Sequence, residues 1–166
     1  MAKTKNHKHQ RNAQMRSYRK SVGLGVTSKS LGDTMPGPIA VADVDQDGDL
    51  DVFVGGRAVT GHYPQASVSS LFLASGRGLD REESALSNPL GIVNGAVFSD
   101  LDTDGFPELI VATEWGAVRV FKNIEGRFDE MTEALGLSGL TGLWQGVATG
   151  DFNGDGLIDI VATNWG

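Results

Sequence analysis

The chain has 166 residues, no cysteine and a formal net charge of −7. This length permits one domain of ordinary size, and the lack of cysteine excludes disulfide bonds as a source of stability. Glycine contributes 23 residues, well above its usual share of ~7%, which favours a fold with many tight turns. The sequence has no run of about 20 apolar residues, so it contains no candidate transmembrane segment.

Residues 1–20 differ sharply in charge from the rest of the chain. They contain seven Lys or Arg residues and no acid, whereas the remainder has seven basic and 21 acidic residues. This polar, basic segment is predicted to be a disordered tail that is foreign to the domain or derived from an expression vector. It lacks the apolar stretch of about 7 to 15 residues that a signal peptide requires. We expect no specific nucleic acid as a partner, because unpatterned basic charge gives only nonspecific binding.

Three acidic segments of nine residues follow, at 43–51, 100–108 and 151–159. We call them loops one, two and three. In each, oxygen-bearing side chains stand at positions one, three, five and nine, and glycine at position six allows a sharp turn. Such spacing gives a hard cation its ligands from one short loop. Without a cation the carboxylates repel, since two charges about 4 Å apart cost on the order of 4 kcal/mol at an effective dielectric near 20. The sequence therefore predicts about three Ca²⁺ ions, one per loop.

These loops differ from an EF-hand, which has a 12-residue loop between two helices. Here the closing carboxylate is at position nine, and β-forming residues flank every loop. The strands predicted before the loops cover 39–42, 96–99 and 147–150, and those predicted after them cover 52–54, 109–111 and 160–161. Each unit is therefore predicted to be an antiparallel hairpin closed by a cation loop.

The loops begin 57 and 51 residues apart, a spacing typical of propellers and other repeat arrays. Two further strands fit into each full repeat. In the second repeat they are predicted at 117–121 and 127–131, after turns at 114–116 and 123–126, and in the first at 68–73 and 78–81, after a long loop at 58–66. The predicted fold class is all-β, with propeller blades of four antiparallel strands and a calcium loop between the first and second strand of each blade.

The segments ADVDQDGDLDVFVGG at 42–56 and GVATGDFNGDGLIDIV at 146–161 resemble FG-GAP/VCBS repeats, the calcium-bearing blades also found in integrin α-subunit propellers. The resemblance spans roughly residues 36–166. It implies that residues 21–166 form a partial β-propeller of about two and a half blades, with repeats near 36–90, 91–140 and 141–166. Members of this family are typically exported, so the resemblance implies an extracellular, periplasmic or cell-surface location.

The resemblance also implies a ligand set for each ion, in which position seven contributes its backbone carbonyl. The implied metal-binding residues are Asp43, Asp45, Asp47, Asp49 and Asp51 in loop one; Asp100, Asp102, Asp104, Phe106 and Glu108 in loop two; and Asp151, Asn153, Asp155, Leu157 and Asp159 in loop three. On this assignment the carboxylate of Asp49 acts only through its field. Loop one is the most acidic, so we expect it to hold its ion at least as well as loop three.

The sequence contains no recognisable catalytic motif. The resemblance implies a calcium-stabilised binding module for a protein or glycan ligand, in adhesion or surface recognition. Two alternatives stay open, namely the propeller scaffold of a polysaccharide lyase or hydrolase, and a structural scaffold that assembles with itself. A cluster of carboxylate, His or Arg side chains outside the loops would favour the enzyme.

Three further features bear on partners. Trp115 and Trp165 precede glycine at equivalent repeat positions, and packing between blades is the preferred interpretation over stacking on a carbohydrate. The segment that contains Arg57, His62 and Tyr63 is a predicted loop, where binding residues tend to gather. Propellers usually have about 4 to 8 blades, so a set of two and a half is expected to self-associate through a free strand edge.

Overall fold

The structure, a computed structural model, describes residues 31–75, 78–82, 86 and 88–166. The basic tail predicted at residues 1–20 lies outside them. Within the described residues the chain forms β-strands and no α-helix. The strands are β1 Thr34–Ala42, β2 Asp51–Val59, β3 Ser70–Ser75, β4 Gly78–Glu82, β5 Ile92–Ser99, β6 Glu108–Ala117, β7 Arg119–Ile124, β8 Arg127–Glu130, β9 Thr141–Gly150 and β10 Asp159–Asn164.

The strands build two antiparallel sheets with a repeated topology. The first sheet is a meander in the order β1-β2-β3-β4, and β5-β6-β7-β8 form the same meander in the second sheet. The β9–β10 hairpin joins the second sheet through pairing of β9 with the end of β6. The predicted all-β fold, with four-stranded antiparallel units and an acidic loop between the first two strands, is confirmed. The closure of these units into a propeller and the repeat boundaries stay predictions.

Apolar side chains on alternate strand positions bury the sheets against each other. Phe53 and Leu71 from the first sheet share one core cluster with Leu109, Phe121 and Phe128 from the second sheet. A second cluster lies on the other face of β6 and β7, where Ile110 and Val120 pack against side chains from β9 and β10. The β5–β8 unit is therefore covered on both faces, which explains why β6 is buried over its first six residues.

The second and third units approach closely at a glycine that precedes an acidic loop. A Cβ built on Gly95 would lie 2.9 Å from the Cα of Gly146 and 3.0 Å from the backbone nitrogen of Val147. Gly95 and Gly146 each stand five residues before their loop. Since the two backbones touch there, β5 and β9 leave no room for a side chain at Gly95.

The structure corrects the turn predicted at 114–116. β6 continues through Ala117, because Glu114 and Gly116 pair with Leu143 and Gly142 of β9 around an irregularity in register. The chain reverses one residue later, at Val118, so the predicted third and fourth strands hold only approximately. The first repeat shows a similar shift, because β2 extends to Val59 and shortens the predicted loop.

Asn123 joins the two sheets at a buried point. Its side chain is fully buried; Nδ2 donates to the carbonyl of Val44 at 2.8 Å, and Oδ1 accepts from the N–H of Gly126 at 2.8 Å. Val44 is the second residue of loop one, and Asn123 and Gly126 flank the turn between β7 and β8. Loop one of the first unit is thereby fixed onto the second unit.

The change Asn123→Ala should lower the free energy of unfolding by about 2–4 kcal/mol. It leaves the Val44 carbonyl and the Gly126 N–H without their partners, and each buried unsatisfied group costs ~1–3 kcal/mol. Urea denaturation measures the loss. The control is Asn164→Ala, an exposed asparagine, for which we expect a change within ~0.5 kcal/mol. Equal midpoints for the two variants would contradict the proposed link.

Candidate cation loops and surface cavity

All three acidic loops use the same backbone hydrogen bonds to hold their carboxylates. The first-position aspartate accepts from the sixth-position glycine: Gly48 to Asp43 at 2.9 Å, Gly105 to Asp100 at 3.0 Å and Gly156 to Asp151 at 3.0 Å. The ninth-position carboxylate accepts from the second residue: Val44 to Asp51 at 2.8 Å, Leu101 to Glu108 at 2.8 Å and Phe152 to Asp159 at 3.0 Å. The three loops, which repeat in sequence, thus also share the same hydrogen-bond geometry.

The fifth and seventh positions are also equivalent in the three loops. The fifth-position carboxylate accepts from the seventh-position N–H at 2.8 Å in every copy: Asp49 to Asp47, Phe106 to Asp104 and Leu157 to Asp155. The side chains of Asp49 and Leu157 are exposed, and that of Phe106 is half-buried. Position seven thus forms part of the loop framework through its backbone, whichever side chain it carries.

Two residues of each loop adopt left-handed backbone angles. The sixth-position glycines have φ of 92°, 93° and 86°, as the sequence predicts for a sharp turn. The fourth position is also left-handed, with φ of 62° at Gln46, 61° at Thr103 and 81° at Gly154. Sequence reasoning missed this second site, because only Gly154 is a residue that signals positive φ.

Loops one and two each bring three carboxylates together. Oxygens of Asp43, Asp45 and Asp51 lie within 4.8 Å of one another, and so do oxygens of Asp100, Asp102 and Glu108. Asp43 Oδ1 is buried and accepts no hydrogen bond. An all-oxygen donor set with such an orphaned buried oxygen fits a hard divalent cation such as Ca²⁺.

Loop three is more open than the other two. Among the described residues it forms no comparable group of three carboxylates, because position three is Asn153. The Nδ2 of Asn153 donates to Asp155 Oδ2 at 3.0 Å. Backbone N–H groups of Gly156 and Gly154 lower the pKa of the exposed Asp151. Hydrogen-bond donors within the loop therefore stabilise part of its negative charge.

Asp51 is the most buried carboxylate of loop one, with 0% of its surface exposed. Its two oxygens accept from the N–H groups of Val44 at 2.8 Å and Ala74 at 2.7 Å. Burial raises the pKa of Asp51, the two backbone hydrogen bonds oppose that rise, and the nearby Asp45 and Asp47 add to it. Asp51 consequently ties loop one to the end of β3 while carrying a charge that is costly to bury.

In loop two the carboxylates contact a lysine. Lys122 Nζ, on β7, donates to Asp102 Oδ2 at 2.7 Å and to Asp104 Oδ2 at 2.5 Å, and it lies 3.1 Å from Glu108 Oε1. Burial alone would lower the pKa of Lys122, but its hydrogen bonds to Asp102 and Asp104 and its contact with Glu108 outweigh burial and raise it. The same ammonium lowers the pKa of Asp104. Sequence reasoning missed Lys122, which lies 14 residues beyond Glu108.

A cavity of about 540 Å³ lies outside the loops, beside the end of β6. Trp115 lines it with 65% of its surface exposed and a φ of 65°. The prediction that Trp115 packs between blades is therefore wrong, because the bulge in β6 leaves this ring largely in solvent. Trp144 is the tryptophan that packs, since it joins the second core cluster. Trp165 is 76% exposed.

Polar groups around this cavity are held in place by hydrogen bonds. Arg119 donates to both carboxylate oxygens of Glu130, at 2.8 and 2.6 Å, and to the carbonyl of Leu90 at 2.9 Å. The guanidinium lowers the pKa of Glu130. Tyr63 donates its hydroxyl to Glu114 Oε1 at 2.7 Å, and this hydrogen bond raises the pKa of Tyr63.

Arg57 and His62, which the sequence analysis grouped with Tyr63, do not line this cavity. Arg57 lines a smaller cavity of about 340 Å³ with Asn94 and Gln145. His62 is exposed and takes part in the turn through its backbone, as Gln65 donates to its carbonyl at 2.7 Å. The structure thus separates Tyr63, which reaches the cavity through Glu114, from the other two side chains.

Four-stranded antiparallel units with an acidic loop after the first strand are consistent with β-propeller-like blades. In agreement, residues 100–162 match the family model of the FG-GAP-like repeat. The match runs from loop two to β10 and includes loop three, and it is to the family whose resemblance the sequence analysis identified. None of the curated proteins matches the chain. The described residues include no helix with the length and hydropathy of a membrane span.

In chelator, the change Asp51→Ala should lower the free energy of unfolding by roughly 2–4 kcal/mol. Two buried N–H groups lose their acceptor, and each costs ~1–3 kcal/mol. Asp49→Ala, which changes an exposed side chain, should stay within ~0.5 kcal/mol. Urea denaturation in excess EDTA measures both without a contribution from metal. A similar loss in the two variants would show that the hydrogen bonds from Val44 and Ala74 to Asp51 do not stabilise the loop.

Proposed function

We propose that this protein is a calcium-stabilised binding module of the β-propeller type, which binds a glycan or protein ligand in adhesion or surface recognition outside the cell. The family match supports a recognition module, since FG-GAP-like repeats often serve that role and are typically extracellular and non-catalytic. The observation that carries the binding function is the exposed ring of Trp115 at a cavity rich in polar groups.

The proposed role of calcium is structural. The side chains at positions one, three, five and nine would hold each ion, together with the backbone carbonyl of position seven. Bound calcium would neutralise the gathered carboxylates and would join the two strands that each loop connects. The orphaned Asp43 Oδ1 and the buried Asp51 in loop one support this role most directly. The loops would therefore stabilise the blades and leave ligand binding to other surfaces.

Trp115 has two properties that favour ligand binding. A large aromatic ring in solvent gains most from a partner that covers it. Its positive φ is a strained conformation for an aromatic residue, and such strain clusters at functional sites. The pairing of Glu114 and Gly116 with β9 fixes the backbone on both sides of the ring. The ring is therefore presented by a rigid strand.

The charges around the cavity indicate which ligands suit it. Three carboxylates and one guanidinium line it, and the guanidinium of Arg119 already pairs with Glu130. Glu114 and Glu133 leave the cavity acidic. Hydroxyl groups of a neutral glycan would donate to these carboxylates while the sugar ring covers Trp115. An acidic polymer would be repelled, so we propose a neutral glycan as the favoured ligand class.

The enzyme alternative is less well supported by this cavity. Carboxylates do cluster here outside the loops, as a glycan-degrading enzyme requires. A general acid at neutral pH needs a raised pKa, but Arg119 lowers the pKa of Glu130. Glu114 is held by the hydroxyl of Tyr63. These contacts of Glu130 and Glu114 favour ligand binding over catalysis.

Calcium should raise the melting temperature of the protein in EDTA-treated samples. A folded loop gathers carboxylates that the unfolded chain spreads apart, so the ion binds the native state preferentially and stabilises it by linkage. Magnesium should have a smaller effect, because it requires tight octahedral geometry and releases water reluctantly. Differential scanning calorimetry measures the shift, and an unchanged transition would refute structural calcium.

Sedimentation of the same samples serves two purposes. It shows whether a higher melting temperature reflects ion binding or association of the chain. It also tests the self-assembly alternative, which β10 supports because it hydrogen-bonds only to β9 among the described residues. A monomer at low micromolar concentration with bound calcium would refute self-assembly.

The change Trp115→Ala should abolish the retardation of the protein in native gels that contain a neutral polysaccharide such as laminarin or xyloglucan. The matched control is Trp165→Ala, because Trp165 is also exposed and also precedes glycine. An alginate gel tests the charge argument, and we expect weak or no retardation there. Equal retardation of the two tryptophan variants would contradict a ligand site at Trp115.

A further inference from the structure

Loops one and two have different surroundings on the neighbouring third strand. Strand pairing makes the two repeats comparable: Val52 pairs with Phe72 in the first, and Leu109 pairs with Phe121 in the second. The next residue along the third strand is Leu73 in the first repeat and Lys122 in the second. The position that carries the ammonium of Lys122 in the second repeat is therefore occupied by a leucine in the first, where it packs against the core cluster.

We propose that Lys122 is an internal counter-cation of loop two, which competes with Ca²⁺ for Asp102, Asp104 and Glu108. The inference rests on the proposed calcium binding and separates the loops by function. Loop one depends on an external ion for neutralisation. Loop two carries its own positive charge, so it binds Ca²⁺ more weakly and keeps its conformation when calcium is removed.

The contacts of Lys122 match those of a cation. Its ammonium contacts the carboxylates of positions three, five and nine at 2.7, 2.5 and 3.1 Å. The side chain is only 18% exposed, so solvent screens these contacts less than it would on an open surface. Lys122 pairs with three carboxylates, whereas an incidental surface ion pair joins only two side chains.

Position nine differs in a way that agrees with this role. In loop one, Asp51 Oδ1 accepts a hydrogen bond from the backbone N–H of Ala74, so a backbone donor satisfies that oxygen. In loop two the side chain of Glu108 is 4% exposed, and its Oε1 accepts no hydrogen bond of good geometry. The ammonium of Lys122 at 3.1 Å is the positive group facing that oxygen. Glutamate at position nine and lysine on the third strand therefore act as a pair.

Loop one has no equivalent group in the part of the chain that the structure describes. Among the described residues, no Lys or Arg forms an ion pair with its five aspartates. The affinity of such a loop for calcium depends on the charge of its ligands. A fixed ammonium lowers the net negative charge that an entering ion meets, and it must move before the ion can bind.

The test uses four variants of the full chain. Lys122→Met removes the ammonium and keeps an unbranched apolar stem of similar length. Arg127→Met is the charge-matched control, because Arg127 is exposed and, within the described residues, forms an ion pair only with Asp129. Leu73→Lys places an ammonium at the equivalent position beside loop one, with Leu73→Met as its packing control. Calorimetric titration gives the number and affinity of bound ions, and melting in EDTA gives a readout that needs no calcium.

We expect Lys122→Met to bind one additional Ca²⁺, or to tighten one site at least about tenfold. In EDTA it should melt below Arg127→Met, because three carboxylates lose their counter-charge. Leu73→Lys should weaken calcium binding relative to Leu73→Met. The reciprocal pair keeps the test valid if one lysine variant does not fold.

Equal ion numbers and affinities in the wild type and Lys122→Met would overturn the competition. Failure of the calcium proposal itself looks different, because then neither protein binds calcium. In that case the melting temperatures in EDTA decide whether Lys122 is an internal counter-cation. A lower melting temperature for Lys122→Met than for Arg127→Met supports the internal counter-cation, and equal temperatures overturn it.

Discussion

The need to neutralise carboxylates that the fold gathers into tight loops governs this structure. Each loop meets part of that need with its own N–H groups, since glycine at position six and the second residue donate to the first and ninth carboxylates. These bonds do not remove the repulsion between like charges at close range. Burial of Asp51 adds a desolvation cost. The rest of the positive charge must come from an ion or from a side chain such as Lys122.

The loops also connect the units of the fold. Asp51 reaches the end of β3 within its own unit, whereas Val44 accepts from Asn123 of the next unit. Gln46 donates to the carbonyl of Gly105 at 3.0 Å, so loop one contacts loop two directly. Neutralisation of loop one therefore stabilises both a hairpin and the packing of adjacent units. A divalent ion there would act on cooperativity between repeats, which depends on such nearest-neighbour contacts.

The proposed ligand-binding surface is held rigid by strand pairing and not by the acidic loops. Trp115 interrupts β6 at a change of register, and the flanking residues pair with β9. A strained residue persists only where its surroundings hold it. The acidic cavity beside it is ordered by Arg119, which contacts Glu130 and the carbonyl of Leu90. The acidic loops and the proposed ligand site are thus separate parts of one scaffold.

The sequence alone determined the features that depend on local residue type. The repeated acidic loops, their β-hairpins and the all-β class follow from the spacing of Asp and Gly and from the apolar strands. Three features depended on tertiary structure, because they arise from pairing between distant segments. β6 passes through the predicted turn because β9 supplies its hydrogen bonds, Trp115 is exposed by the resulting bulge, and Lys122 faces loop two because β7 aligns with β6 in one register. A single-residue slip would turn that lysine to the opposite face.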